Sequence, residues 1–504
     1  MAATRLAPDL HFAGVQEHPV SACCIGIRSI PSEVLTLIFI QAYRDHEGTR
    51  HRGVVATLTV RRVCKFFRAI ADATPELWSY MTTHYPLAFV ETALNLSRHH
   101  PLSVEINVRD TLFRQISECI RPHWSRCRYL TFDGVDWEGV WPAFVEAPQP
   151  GIVTSAPKLT RLLLKSSMLT SNSAILQSAG LTELVLENCH LECDFHTLLQ
   201  TLGHLPTLTS LSLELNPIDT LQLPQDWDVS HPKAMVSLLS LRELSLSIPF
   251  KHALYATINL DIQDICNVSI DAGLWDMGAI SAPVLCEGLA AAFPDRLRRM
   301  FPDNNPEWGC KELRITINDH DSPMEMFAEV RQSNRDSSEK RFFRLHIDTD
   351  YSRFEGYDEL GDAFRTIVRW DALRNVDVFR GEGFPKRWGL WTNVLEAFRS
   401  VTSIRLDGVV GEFPQLLATI SGADFPPSLS EVVLLHNSSI GDANYESLVH
   451  GLRRACPPSS HPSQRTLALE SGTTIYRDGK VKEEHLVRWE TRFECVVSDE
   501  PALE

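Results

Sequence analysis

The chain has 504 residues, 44% of them hydrophobic and 22% charged, so it can bury a large core and lacks the composition of a disordered protein. At roughly 150 residues per domain, this length allows two to four domains or one long repeat array. A formal net charge of −16 argues against general binding of a nucleic-acid backbone, which needs a basic face, and no apolar run approaches the roughly 18 residues of a membrane span.

Residues 1–26 read as a partly disordered leader with no apolar core of signal-peptide length. The 12 cysteines are therefore expected to be reduced thiols in the cytoplasm or nucleus, mostly buried as small hydrophobes. Charge is uneven along the chain. Residues 1–80 hold 9 Lys+Arg against 7 Asp+Glu and the remainder 39 against 57, so the two parts are expected to meet different partners.

Residues 27–81 predict three short helices. "IPSEVLTLIFIQAY" starts a helix at Pro31, whose missing N–H has no partner in a first turn anyway. Val34, Leu35, Ile38 and Phe39 form its apolar stripe. "DHEGTRHRG" (45–53) reads as a polar loop. "VVATLTVRRVCKFFRAIAD" resumes the helical pattern through Leu58, Val63, Cys64, Phe67 and Ile70. "TPELW" restarts it, with Thr74 as cap, Pro75 in the first turn, and Leu77 and Trp78 as anchors. So many apolar residues in so short a segment suit a binding module.

Residues 82–126 read as a connecting segment and a first strand. From 127 to 470 an internal repeat, L-x-x-L-x-L, recurs. Leu159, Leu162 and Leu164 fit it, as do Leu181, Leu184 and Leu186; Leu208, Leu211 and Leu213; and Leu241, Leu244 and Leu246. Looser copies are Leu373, Val376 and Val378; Val401, Ile404 and Leu406; and Leu429, Val432 and Leu434. Weaker ones begin at Cys127, Cys310 and Phe342. The last two apolar positions lie two apart, so they share one face of a short strand, and stacked copies share one core. Between strands, 194–202, 390–398 and 445–455 carry helical spacing. Residues 250–309 fit poorly. "SAPVLCEGLAAAFPDRLRRMF" reads as one helix closed by Pro302, and the segment is either a degenerate repeat or an insertion. Residues 471–504 are expected to be a C-terminal cap or tail.

Cys189, His190, Cys193 and His196 invite a zinc reading. On the repeat pattern Cys189 turns inward and His190 outward, so the four are not expected to converge; no metal or cofactor is expected. Outward strand positions form a candidate surface for a protein substrate: Glu183, Val185, Ser210, Ser212, Glu243, Ser245, Arg314, Thr316, Arg405 and Val433. The acidic run 348–362 reads as a solvated face. No P-loop, GxGxxG, GxSxG, HExxH or kinase motif is present, so catalysis is not expected.

Two family resemblances follow. The segments Ile30-Pro31-x-Glu33-Val34-Leu35-x-x-Ile38-Phe39, Val63-Cys64-x-x-Phe67-Arg68-x-Ile70-Ala71 and Thr74-Pro75-x-Leu77-Trp78 resemble an F-box. "TPELW" and the later "HHPLSVEINV" are similar to F-box proteins abundant in mushroom-forming fungi. Phe67 stands where that family usually has Trp, and the loop at 45–57 is longer than in a minimal F-box. The repeats resemble leucine-rich repeats, whose signature adds Asn or Cys three residues after the last strand leucine: Cys189, Asn216, Asn318 and Asn437. Pro249 departs from it. Together the resemblances imply an α/β solenoid, an N-terminal three-helix F-box followed by an irregular leucine-rich-repeat horseshoe.

They also imply an adaptor. An F-box docks on a Skp1-type protein, which links to a cullin–RING ligase, while the repeats hold a substrate for ubiquitin transfer. The residues carried over as Skp1-binding are Ile30, Pro31, Val34, Leu35, Ile38, Phe39, Cys64, Phe67, Ile70, Leu77 and Trp78. Pro31, Leu35, Phe39 and Trp78 are expected at the contact, and Val63, Phe67 and Ile70 inside the module. The alternatives are a Skp1-binding scaffold outside any ligase, or a repeat-type interaction protein whose N-terminal helices merely cap the array. No nucleic-acid or membrane partner is expected.

Overall fold

The computed structural model describes residues 30–44, 50–134, 158–169, 180–215, 222–223, 235–273, 282–302, 312–318, 324–331, 341–349, 358–382, 390–407, 413, 428–434, 439–441, 447, 450, 465–469, 474–477, 480–482 and 489–493. The leader, Cys310, Asn216 and Asn437 lie outside these residues, as does most of the helical run at 445–455.

Three helices come first: α1 (Ser32–Arg44), α2 (Arg50–Val63) and α3 (Lys65–Ala73), then a 3-10 turn at Pro75–Trp78. The Pro31 carbonyl accepts from the amides of Val34 and Leu35 at 3.1 and 3.2 Å, so the proline stands just before the helix rather than inside it. Residues 50–53, expected in a polar loop, are already helical. A Cβ on Gly53 would lie 3.0 Å from the Tyr43 ring, so glycine lets α2 approach α1 closely. The single helical pattern across 54–72 is broken at Cys64. That residue is extended (φ −163°), and its Sγ accepts from the Phe67 amide to cap α3. Thr74 does not cap with its side chain; its hydroxyl donates back to the Ile70 carbonyl at 2.8 Å.

From Tyr80 onward the described residues form a sixteen-stranded sheet, beside two small two-stranded sheets and one three-stranded sheet. Its strands are β1 (Tyr80–Thr82), β2 (Leu102–Asn107), β3 (Cys127–Asp133), β4 (Arg161–Lys165), β5 (Glu183–Glu187), β6 (Ser210–Glu214), β7 (Glu243–Pro249) and β8 (Asn267–Gly273), then β9 (Glu312–Asn318), β10 (Met324–Arg331), β11 (Phe342–Thr349), β12 (Val378–Glu382), β13 (Ser403–Asp407), β14 (Glu431–Leu434), β15 (Arg465–Leu469) and β16 (Trp489–Phe493). Helices on the connections are α4 (Leu87–Leu96), α5 (Phe113–Ile120), α6 (Phe195–Gly203), α7 (Phe250–Asn259), α8 (Ala282–Ala292), α9 (Pro294–Met300), α10 (Asp358–Val368) and α11 (Leu390–Ala397). The fold is mixed α/β with a long, mostly parallel sheet, an arrangement compatible with an α/β solenoid.

The leucine spacing explains the best-formed part. Leu162, Leu164, Leu184, Leu186, Leu211 and Leu213 are all buried, while the residues between them are partly exposed. Each strand is in register with the next, so Leu162, Leu184, Leu211 and Leu244 form one buried row and Leu164, Leu186, Leu213 and Leu246 another. Ser166 and Asn188 follow β4 and β5 with positive φ (46° and 51°), so the two units turn the same way. Asp194 caps α6 through the Thr197 amide at 2.8 Å, and Phe195, Leu198, Leu199 and Leu202 face inward as their spacing predicts.

Three regions depart from the sequence reading. Within 250–309, residues 267–273 belong to the sheet, since β8 pairs in parallel with both β7 and β11. The predicted single helix there is two, because Pro294 carries no N–H and starts α9 instead. The Cys310 and Phe342 copies are strands of the sheet, but they are joined through β10, which runs antiparallel to both. Spatial order is therefore β8-β11-β10-β9-β12, reversed relative to the chain. The last strand, β16, is also antiparallel and falls in the expected C-terminal cap or tail.

The third departure is a register shift. The copy read at Leu373, Val376 and Val378 lies three residues further on, with Val376, Phe379 and Gly381 buried and in line with Val401, Ile404 and Leu406. Gly381 hides the repeat because the space of its missing leucine is filled by Trp391 of α11. A Cβ on Gly381 would sit 2.7 Å from the indole, and Phe379 packs edge-on to the same ring at 5.8 Å. Gly381→Ala is expected to destabilise the chain by about 1–3 kcal/mol through overpacking, read as a lower urea midpoint. An unchanged midpoint would mean that the indole moves freely.

Candidate interaction surfaces

The N-terminal helices carry two apolar faces. Leu35 and Phe39, one turn apart on α1, are 3% and 6% exposed. Phe39 meets the half-buried Phe67 edge-on at 5.1 Å. Ile70, Leu77 and Trp78 join the same core. The Trp78 indole donates to the Ala71 carbonyl at 2.8 Å, lies under the Arg61 guanidinium at 5.1 Å, and packs against Phe89 of α4 at 6.1 Å. These three helices are thus continuous with the core of the sheet.

The other face is open. Val34, Leu37 and Ile38 are 44%, 66% and 49% exposed, and on α2 Val55 and Val63 are 49% and 54% exposed. Val34, Leu37 and Ile38 fall at positions i, i+3 and i+4, one stripe of a helix. Burial divides the expected contact set. Leu35, Phe39, Ile70, Leu77 and Trp78 fill the chain's own core, and Val63, expected inside, is outside. Pro31, Val34 and Ile38 remain exposed, Ile30, Cys64 and Phe67 are half-buried, and Leu37 and Val55 join them. α1 is apolar on both sides, so spacing alone does not say which stripe turns inward.

The second surface is the solvent face of the sheet. Register brings Glu183, Ser210 and Glu243 into one row and Val185, Ser212 and Ser245 into the next. Charges at the first strands pair across rungs: Arg161 Nε with Glu183 at 3.0 Å, and Lys165 Nζ with Glu187 at 2.5 Å. The Val185 row runs on through Ser269, Arg344, Glu329, Arg314, Arg380 and Arg405. Arg314 and Arg405 were legible as outward positions. Arg380 was not, because the template at 373 was set three residues out of register, which exchanges the two faces of the strand. Thr316 is also partly exposed, while Val433, at an outward position beside Arg405, is 6% exposed.

The cysteine–histidine cluster resolves into separate roles. Cys189 is buried and its thiol donates to the Leu164 carbonyl of the preceding unit, 3.3 Å away, as the repeat signature implies. His196 binds Gln200 Nε2 at 2.8 Å and Tyr255 Oη at 2.7 Å. Among the described residues no group of His, Cys, Asp and Glu is arranged to hold a metal ion. Burial pushes the thiols of Cys127 and Cys266 up to about 12, which keeps them protonated and unreactive at neutral pH. Arg296 has its pKa pushed down to about 10 by burial and stays charged. Its guanidinium donates to the carbonyls of Leu260 and Ile262 at 2.8 and 2.9 Å, tying α9 to the strand Leu260–Ile262. No helix among the described residues is long and apolar enough to cross a membrane.

Comparison with protein-family models and with curated proteins returns no match to the chain.

Proposed function

We propose that the chain is a substrate-recognition adaptor of a Skp1–cullin–F-box ubiquitin ligase. In this reading residues 27–81 are an F-box that docks on a Skp1-type protein, and the sheet is an irregular leucine-rich-repeat horseshoe whose solvent face holds a protein substrate in the cytoplasm or nucleus. The observation that carries it is the set of apolar side chains left exposed on α1 and α2. Among the described residues, five of the eight large apolar side chains left exposed, Val34, Leu37, Ile38, Val55 and Val63, belong to these two helices; the other three are Met235, Leu239 and Ile265. Apolar side chains concentrated on one small module are the mark of a surface that another protein covers.

The contact residues under this reading are Pro31, Val34, Leu37 and Ile38 of α1 with Val55 and Val63 of α2. The buried stripe of Leu35, Phe39 and Trp78 holds the module together and joins it to α4. That junction supports a capping role for the N-terminal helices, which coexists with docking because the junction uses buried side chains and the docking set is exposed.

The test is affinity purification of the full chain from cells. A Skp1-type protein and a cullin are both expected to accompany it. Recovery of neither would exclude the adaptor reading, and a Skp1-type protein without a cullin would favour a scaffold outside the ligase.

A further inference from the structure

The N-terminal helices carry charge against the balance of the whole chain. From Arg61 to Asp72 stand four cations, Arg61, Arg62, Lys65 and Arg68, and a single anion, Asp72, in a chain of net charge −16. Asp72 pairs with Arg61 at 2.7 Å, and Arg44 pairs with Glu76 at the same distance. Glu33, the remaining carboxylate among the described residues of these helices, stands in the first turn of α1. Arg62, Lys65 and Arg68 are all exposed, and none pairs with a carboxylate among the described residues. Arg68 Nε donates only to the Arg61 carbonyl, at 3.4 Å.

These cations border exposed apolar side chains. Val55, Thr59, Arg62 and Val63 are exposed and fall at i, i+4, i+7 and i+8, one stripe of α2. Lys65 opens α3 two residues after Val63, just past the Cys64 cap. Helix electrostatics accounts for Arg62, because a cation in the last turn of α2 suits the negative end of its dipole. It does not account for Lys65. The first turn of α3 favours an anion, yet it holds no acidic residue and starts with lysine.

We infer that the protein covering α1 and α2 presents an apolar patch bordered by carboxylates, which Arg62, Lys65 and Arg68 meet at the rim of the contact. The inference rests on the docking reading above and adds the partner's charge to it. Interfaces place apolar side chains at the centre and polar ones at the rim. Rim charges act mainly on the rate and orientation of encounter. A chain of net charge −16 repels an acidic partner at long range, and a local cationic rim offsets that repulsion where docking occurs.

The experiment follows association of the purified full chain with a purified Skp1-type protein by surface plasmon resonance, at about 0.05 and about 0.5 M NaCl. The wild-type association rate is expected to fall about tenfold or more between the two, with little change in dissociation. Arg62→Gln with Lys65→Gln is expected to associate about tenfold more slowly than wild type at low salt and equally fast at high salt, with an unchanged melting temperature. Should the double variant fail to fold, Lys65→Gln alone carries the same test with an effect of about threefold. A wild-type association rate indifferent to salt, or a folded variant that associates like wild type at low salt, would overturn the inference and leave the docking reading standing. No binding by the wild-type chain would overturn both. Two further outcomes would overturn it by naming another occupant. One is sedimentation of the chain with phosphatidylserine–phosphatidylcholine vesicles, lost in the double variant, which would favour an anionic membrane. The other is a salt-sensitive dimer, also lost in the variant, which would favour a second copy whose sheet face carries the exposed Glu214 and Glu243.

Discussion

Leu186→Lys is expected to prevent folding of the repeat region, whereas Val185→Lys, one residue away, is expected to shift stability by less than about 1 kcal/mol. The two positions carry the same new charge and differ only in the face of β5 on which they lie. Leu186 is fully buried between Leu164 and Leu213 of the neighbouring strands. Losing such a leucine costs about 2–5 kcal/mol through transfer and cavity terms alone. An unpaired ammonium in its place adds several kcal/mol more, against a total stability of about 5–15 kcal/mol. Val185 is partly exposed and flanked on its own strand by Glu183 and Glu187, which favour a positive charge. Urea unfolding followed by circular dichroism separates the two. Equal loss in both variants would contradict the alternation of faces on which the whole sheet rests.

Leu37→Asp with Ile38→Asp is expected to weaken capture of a Skp1-type protein by more than about 100-fold while leaving the melting temperature within a few degrees of wild type. Both side chains are exposed, so a carboxylate there remains hydrated in the free chain and loses its water only in the complex. Leu35→Asp is the instructive contrast. Leu35 is 3% exposed and packs in the module core, so it is expected to lose binding by unfolding the helices, with a lower melting temperature. Retained binding by the Leu37 and Ile38 variant would move the contact off α1.

How much of this was legible in the sequence depended on whether a position had a repeating neighbour. At Leu162, Leu184, Leu211 and Leu244 the spacing, strand and buried row agree, because identical side chains at identical spacing leave only one inward face. At Gly381 the pattern failed because Trp391, ten residues further on, supplies the missing side chain. The reversed order of β9, β10 and β11 had no local signal either, since strand pairing is a long-range choice that a short motif does not record. In the N-terminal helices the pattern identified the apolar residues but not the side on which each lies, because α1 is apolar on both faces. The arginine row is a sharper instance. Phe343-Arg344-Leu345, Leu313-Arg314-Ile315, Phe379-Arg380-Gly381 and Ile404-Arg405-Leu406 each hold arginine between two inward residues. Only the register of the sheet makes those four triplets neighbours of one another or of Glu329.

Docking of a Skp1-type protein on the exposed apolar side chains of α1 and α2 is tested most directly by a binary titration of the two purified proteins. A one-to-one complex with a Kd of about 1 µM or tighter is expected, abolished by Leu37→Asp with Ile38→Asp in a chain that remains folded. Absence of binding by the folded wild-type chain, or binding that survives both substitutions undiminished, would contradict it.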